Sequence, residues 1–307
     1  MPCSGAMRSR LLCAALLGLA TSAAAQDADF EQVVIETEPV APGLAVLFGQ
    51  GGNIAVSTGA DGPVLVDDQF APLAPKILAA VKALQDGPVR FVINTHFHFD
   101  HTGGNEPFGK AGALIVAHEN VRRRMSTTQF IAALQREIPA APPVALPVVT
   151  FADSVTLHWN GEEIAVEHVP PAHTDGDALV WFRKANAVHT GDTYVSGRFP
   201  FVDVSSGGSL AGVITSAERV LAQAGPETKI IPGHGPLSNA AELRVWRAML
   251  VDVQGRVNAA LAAGKTLEAF SVEQPLADLD PIYGRGFLKA GPFLAIVWSD
   301  LSRKPKE

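Results

Sequence analysis

The chain has 307 residues, 47% of them hydrophobic and 18% charged, with a formal net charge of −7. That apolar fraction supports a sizeable core and excludes a disordered chain, while the length allows one large domain or two modest ones. The acidic balance excludes the basic surface that a nucleic-acid partner would need to displace counterions from its phosphates.

The N-terminus differs from the rest. Arg8 and Arg10 precede an apolar run over 11–20, and Ala23-Ala24-Ala25 offers a small-residue cleavage pattern before Gln26. This reads as a secretory signal peptide over 1–25, because the run falls short of the ~20 residues a spanning helix needs. Cleavage would remove Cys3 and Cys13, leaving a mature chain with no disulfide and no thiolate ligand. Loss of Arg8 and Arg10 would move the net charge from −7 to −9. The expected address is periplasmic or secreted, with no membrane insertion after cleavage; the oligomeric state is left open.

From residue 33 the chain reads as short strands with turn punctuation. Strands are predicted over 44–48, 53–57 and 64–66, separated by Gly49-Gln50-Gly51-Gly52 and by Gly59-Ala60-Asp61-Gly62-Pro63. The spacing of Leu73, Ile77, Leu78, Val81 and Leu84 predicts a helix over 72–84. Then come a strand over 89–94, a short helix over 103–109, a strand over 113–117, a helix over 119–137 and a Pro-rich loop over 139–147. The second half has strands over 155–159, 162–168, 178–182 and 187–190, a helix over 210–224, a strand over 229–231 and a long helix over 239–263. The remainder reads as irregular up to a last helix over 293–301. Strands then helices, twice, suit two sheets flanked by helices. One domain over 26–307 is expected, with its core at about 33–240 and a helical C-terminal extension over 240–307.

Directly after the strand at 89–94 comes Asn94-Thr95-His96-Phe97-His98-Phe99-Asp100-His101-Thr102-Gly103-Gly104-Asn105. A lone histidine is ordinarily a packing or surface residue. Four metal-capable groups within six residues, at the end of an apolar strand, point instead to a metal site. His96 and His98 can point to one side of an extended segment while Asp100 and His101 reach a second position. Thr102-Gly103-Gly104 is expected to let the chain turn tightly. Imidazole and carboxylate donors suit zinc, and also iron or manganese. Three later loop-like segments offer further donors: His173 in Pro170-Pro171-Ala172-His173-Thr174-Asp175-Gly176-Asp177, Asp192 in His189-Thr190-Gly191-Asp192-Thr193, and His234 in Ile231-Pro232-Gly233-His234-Gly235-Pro236.

Together, H-x-H-x-D-H, a later histidine near glycine, G-D-T and P-G-H-G resemble the ordered motif set of the metallo-β-lactamase superfamily, over residues 53–236. The resemblance implies an α/β fold, an αβ/βα four-layer sandwich with the site at its edge. It implies two zinc ions, the first held by His96, His98 and His173, the second by Asp100, His101 and His234, with Asp192 bridging. Asp67 stands where the family has an aspartate that orients the loop. His118, His158, His168 and His189 read as ordinary histidines outside the ligand set.

Two ions sharing one water would lower its pKa to about 7, and the resulting hydroxide would attack a carbonyl. Asp100 is then expected to orient the nucleophile or pass its proton, and Asp192 to hold both ions. Tyr194 is a further catalytic candidate for polarising the carbonyl, since lactonase relatives carry a tyrosine near this point. The implied partner is a small-molecule carbonyl compound: lactone, ester, thioester or β-lactam. A dedicated periplasmic β-lactamase is one alternative. Against it, Asp192 stands where the cysteine-ligand β-lactamases have that cysteine, as in glyoxalase II and lactonase-like relatives, and Val195 where they have a lysine. Arg198 is close enough in sequence to serve as an anion grip. An alternative of another class is a di-iron redox protein, which the same ligands would allow. The tail aromatics Phe270, Tyr283, Phe287, Phe293 and Trp298 are expected in the core.

Overall fold

The computed structural model describes residues 29–303. The leader expected over 1–25, with both cysteines, lies outside that range.

An antiparallel meander opens the fold: β1 (Glu36–Ala41), β2 (Leu44–Phe48), β3 (Ile54–Ser57) and β4 (Val64–Val66). Helix α1 (Ala74–Leu84) returns the chain to β5 (Phe91–Ile93), which runs parallel to β4. Two short helices, α2 (Phe99–Thr102) and α3 (Asn105–Lys110), lead to β6 (Leu114–His118) and α4 (Glu119–Met125). A hairpin of β7 (Gln129–Ile131) and β8 (Arg136–Ile138) precedes β9 (Val149–Phe151). The first sheet then has seven strands, in the order β1-β2-β3-β4-β5-β6-β9.

The second sheet starts with β10 (Ser154–Trp159), β11 (Glu162–His168), β12 (Ala178–Phe182) and β13 (Ala187–His189), antiparallel to one another. Helix α5 (Leu210–Gln223) carries the chain to β14 (Lys229–Ile231), parallel to β13, and β15 (Ser238–Asn239) completes six strands. Helices α6 (Ala240–Ala262), α7 (Leu267–Val272), α8 (Asp280–Tyr283) and α9 (Ala290–Leu301) follow. Among the described residues no helix is long and apolar enough to cross a membrane.

Side chains alternate between the faces of a strand, so strands apolar at every position must be covered on both sides. Val46, Val66, Ile93 and Val116 of the first sheet meet Val166, Val180, Phe182 and Ile231 of the second in one buried cluster. Their neighbours Leu47, Leu65, Val92 and Ile115 face the other way, against Ile77 and Val81 of α1. On the second sheet, Leu179, Trp181, Val188 and Ile230 pack outward onto Val213 of α5, Leu250 of α6 and Phe293 of α9. The layers run helix, sheet, sheet, helix, which is the expected αβ/βα sandwich. The C-terminal helices are part of it: Leu243, Trp246 and Val297 share one cluster with the second sheet.

Four local expectations differ. The helix expected over 119–137 ends at Met125. Its last turn holds Arg122, Arg123 and Arg124, which suit the negative end of a helix dipole, and Thr127, Thr128, Phe130 and Ile131 then favour strand, giving the hairpin. The stretch read as irregular contains α7, capped by the Thr266 side chain, and α8, started by a proline in its first turn. Strand β1 escapes the apolar pattern because it is an exposed edge, where Pro39 is tolerated. Of the tail aromatics, Phe270, Tyr283 and Phe293 are buried and Trp298 packs against the same cluster, but Phe287 is 72% exposed.

Phe182, 1% exposed between the sheets, should cost about 3–5 kcal/mol when cut to alanine. Val245→Ala on the outer face of α6 should shift stability by less than about 0.5 kcal/mol. Urea unfolding of both variants checks this; equal shifts would mean that the sheets do not enclose a close-packed interior.

Candidate metal centre

Two parallel strand pairs, one in each sheet, end at the same edge. Asp67 follows β4, His96–His101 follow β5, Asp192 follows β13 and His234 follows β14. Carboxyl ends of parallel strands are where open α/β sheets collect their ligands. His173 enters on the loop between β11 and β12. Asn53 ties the two sheets together. Its backbone N–H donates to the Gly233 carbonyl at 2.7 Å, and its Nδ2 donates to the Pro232 and Gly235 carbonyls, each at 2.8 Å.

The first cluster is His96, His98 and His173, whose ligand atoms lie within 4.8 Å of one another. Each ring has one nitrogen engaged by a fixed partner. His173 donates from Nδ1 to the Phe201 carbonyl at 2.7 Å, and His98 directs Nε2 at the Asp203 carboxylate at 3.1 Å. Thr95 Oγ1 donates to Asp67 Oδ2 at 2.8 Å, so it can accept only from His96 Nδ1, 3.0 Å away. Neutral rings so held present bare lone pairs at the remaining nitrogens. His98 Nδ1 and His173 Nε2 then face each other at 2.8 Å, and buried His96 Nε2 has no partner. Burial, with His101 and His173 nearby, holds His96 well below its usual pKa; burial and His98 bring His173 down to about 4. Such a convergence of ring nitrogens fits a bound cation, and packing alone gives no account of it.

The second cluster is Asp100, His101 and His234, again within 4.8 Å. Here carboxylates dominate. Burial pushes His101 down, but Asp192, Asp100 and Asp67 overcome it and raise its pKa well above the usual value. Burial is likewise outweighed at His234, which Asp192 and Asp100 lift to about 9. Burial would raise the Asp100 carboxyl, but His101 and His234 bring it down to about 2. Asp192 touches both clusters: Oδ1 is 3.2 Å from His101 Nε2, while Oδ2 is 3.4 Å from His234 Nε2 and 3.8 Å from His173 Nε2. A third set, Asp67, His96 and His101, is equally close, but the Asp67 carboxylate already accepts from Thr95 N, Thr95 Oγ1 and His101 Nδ1 at 2.7–2.8 Å. It orients His101 so that Nε2 faces the centre.

Glycines here serve close approach. A Cβ on Gly52 would lie 2.2 Å from the His101 ring, and one on Gly233 would lie 2.0 Å from Asp192 Oδ1. Gly103 and Gly104, expected to provide a tight turn, have ordinary helical backbone angles. They are needed because their Cα atoms press on the carbonyls of Gln69 and Asp68, where a Cβ would come within 2.7 Å and 2.6 Å.

The structure therefore brings His96, His98, Asp100, His101, His173, Asp192 and His234 into one centre. Tyr194 it places elsewhere. After the turn at Gly191–Thr193 the chain extends, and Tyr194 lies 2% exposed against Trp246, its hydroxyl 2.8 Å from Ser238 Oγ. That corrects its candidacy as a carbonyl-polarising group. His189 keeps both nitrogens occupied, Nδ1 by the Gly191 N–H and Nε2 by the Asn53 carbonyl, and His118 caps α4. Asp203, Thr95 and Asn53 escaped the motif reading. Asp203 stands 105 residues from the histidine it serves, so no spacing rule could mark it.

A cleft of about 620 Å³ opens onto His98, Asp100, Asp192 and His234. Phe70, Phe99, Phe199 and Phe201 form apolar walls, and Arg136 and Arg198 supply positive charge. Val195 lines it too.

A family model described as the metallo-beta-lactamase superfamily matches residues 45–234. Hydroxyacylglutathione hydrolase of Rhodospirillum rubrum is 31% identical over 125 residues, covering 40% of this chain and 41% of that protein. The hydroxyacylglutathione hydrolase of Pelagibacter ubique is 25% identical over 119 residues, covering 38% and 41%. The match thus spans about 41% of the length of these two curated relatives. An uncharacterized protein of Aquifex aeolicus is 27% identical over 205 residues, covering 66% of this chain and 88% of that one. Among solved structures, a metallo-beta-lactamase from Pontibacter korlensis superposes with a TM-score of 0.57 at 19% identity, covering 70% of this chain and 98% of that one. The DIM-1 metallo-beta-lactamase gives 0.57 at 17%, covering 72% and 99%. At such identity these two show the fold alone. The family match spans most of the two-sheet core and every residue from Asn53 to His234 described above, and the chain belongs to the metallo-beta-lactamase superfamily.

Proposed function

We propose that the protein is a binuclear zinc-dependent hydrolase that uses an activated water to open the carbonyl bond of a small ester, thioester, lactone or β-lactam. The observation that carries this reading is the pairing of two donor clusters by one carboxylate. The imidazoles of His96, His98 and His173 adjoin the charged set Asp100, His101 and His234, with Asp192 in reach of both. Imidazole and carboxylate donors in this number suit zinc. Zinc bound there would supply a Lewis acid for a carbonyl oxygen and bring the pKa of water down to about 7.

The protein's own residues prepare that chemistry. Asp203, Thr95, Asp67 and the Phe201 carbonyl fix which nitrogen of each ring points inward. Asp100 lies on the cleft wall and stays ionised at neutral pH, so it can accept a hydrogen bond from a water beside it and orient that water. The rings of Phe70, Phe99, Phe199 and Phe201 give the cleft apolar surface beside the donors. With Asp192 in place of a cysteine and Val195 in place of the lysine that grips a lactam carboxylate, a dedicated β-lactamase is the weaker reading. Cleavage of the leader before Gln26 would put the enzyme in the periplasm or outside the cell.

Zinc-loaded protein should turn over at least one of p-nitrophenyl acetate, an acyl-homoserine lactone, S-lactoylglutathione and nitrocefin, with nitrocefin slowest. Asp192→Ala should cut that turnover by more than about 100-fold, beyond the ~10–100-fold typical of outer-shell changes. No turnover of any substrate would contradict the reading, and two irons without zinc in the purified protein would favour the redox alternative. In chelator competition, Asp203→Ala should weaken zinc binding by about 10–100-fold while Tyr194→Phe leaves it unchanged; equal loss in both would mean that Asp203 does not support a ligand. Mass spectrometry of the protein from a periplasmic fraction should give Gln26 as first residue, and an intact N-terminus would contradict export.

A further inference from the structure

A second groove, of about 580 Å³, lies against the cleft. Leu134, Phe201 and Phe287 line both, so the two are one continuous surface. The groove runs between the β7–β8 hairpin tip, the segment at Val202 and Val204, and the α9 residues Ala295 and Ile296. Its one titratable lining residue is Asp203, and that carboxylate is turned onto His98, Ser205 and the Ser206 N–H. Apart from Ser205, whose hydroxyl donates to that carboxylate, and Ser299, the remaining lining is apolar. Phe201 connects the two spaces: its ring lies 5.7 Å from that of His173, 5.9 Å from that of His98 and 6.3 Å from that of Phe287. Phe287 stands 72% exposed at the junction, whereas Phe270, Tyr283 and Phe293 of the same tail are buried. Each space by itself falls within the ~300–1,000 Å³ of an ordinary ligand pocket, so a substrate as small as an acetyl ester would leave the groove unused.

We infer that the natural substrate is an acyl amphiphile: an ester, thioester or lactone whose carbonyl sits at the metal centre and whose alkyl tail runs past Phe201 into this groove. This rests on the hydrolase reading above. The occupant follows from continuity, since a chain leaving the reacting carbonyl meets Phe201, then Phe287, then the groove, with Arg136 and Arg198 left to the polar end in the cleft. In the reaction the bond from acyl carbon to oxygen or sulfur breaks. The water oxygen joins the acyl carbon, a water proton passes to the departing group, and the tail stays on the carboxylate product.

Two measurements on the zinc-loaded protein test this. Calorimetric titration with acetate, hexanoate and decanoate should show Kd falling about twofold to fourfold per methylene, fourfold corresponding to full burial. The kcat/KM of p-nitrophenyl acetate, hexanoate and decanoate should climb in the same way. Ala295→Trp, which fills the groove, and Phe287→Ala, which removes an exposed ring, should each lower the decanoate-to-acetate ratio of kcat/KM by about tenfold. Phe287→Ala carries the test if the tryptophan variant does not fold. Equal affinities for hexanoate and decanoate, or a ratio unmoved by both variants, would overturn the inference even if the esters are hydrolysed. A ladder of affinities with no turnover of these esters, the lactone, the thioester or nitrocefin would support the groove and sink the hydrolase reading instead.

Discussion

One buried carboxylate sets the proton arrangement of a histidine in each half of the centre. Asp67 takes the Nδ1–H of His101 directly and that of His96 through the Thr95 hydroxyl, so a ring in each cluster is turned by the same side chain. Asp67 itself sits in the left-handed region at φ 63°, a conformation an L-residue holds only when its surroundings pin it there. Its partners do that: two donors from Thr95 and one from His101, with no exposed surface left. The energetic logic is common to metal sites, where outer groups are spent fixing the ligands so that binding need not order them.

The consequence is an edge that is complete in donors and short of charge. The cluster at His96, His98 and His173 has lone pairs directed into a shared space, and the cluster at Asp100, His101 and His234 has carboxylates that raise the basicity of their histidines. Leaving buried nitrogens without partners costs about 1–3 kcal/mol each. The two-sheet core carries that cost. The apolar cluster shared by Val66, Ile93, Phe182 and Ile231 anchors β4, β5, β12 and β14, three of which end directly at donor-bearing loops.

Much of this was legible in the sequence, and the reasons differ by feature. The strands bordering the centre were visible because burial on both faces leaves unbroken apolar runs such as Ala178–Phe182. The ligands were visible because a metal concentrates rare residue types at fixed spacing after such strands. Asp203, Asn53 and Thr95 were not, since a hydrogen-bonding support needs only proximity in space. Tyr194 misled for the converse reason: its place in the chain beside Asp192 says nothing about direction, and one turn of tight helix at Gly191–Thr193 sends the two side chains apart. The hairpin at Gln129–Ile138 was hidden inside a helix-like run, although it brings Leu134 and Arg136 to the cleft.

The central claim is that these seven side chains hold two metal ions through one shared carboxylate. Anomalous diffraction at the zinc edge from crystals grown with zinc tests it most directly. The account predicts two peaks, one among His96, His98 and His173 and one among Asp100, His101 and His234, with Asp192 contacting both. A single peak, or zinc found only at surface carboxylates, would contradict it.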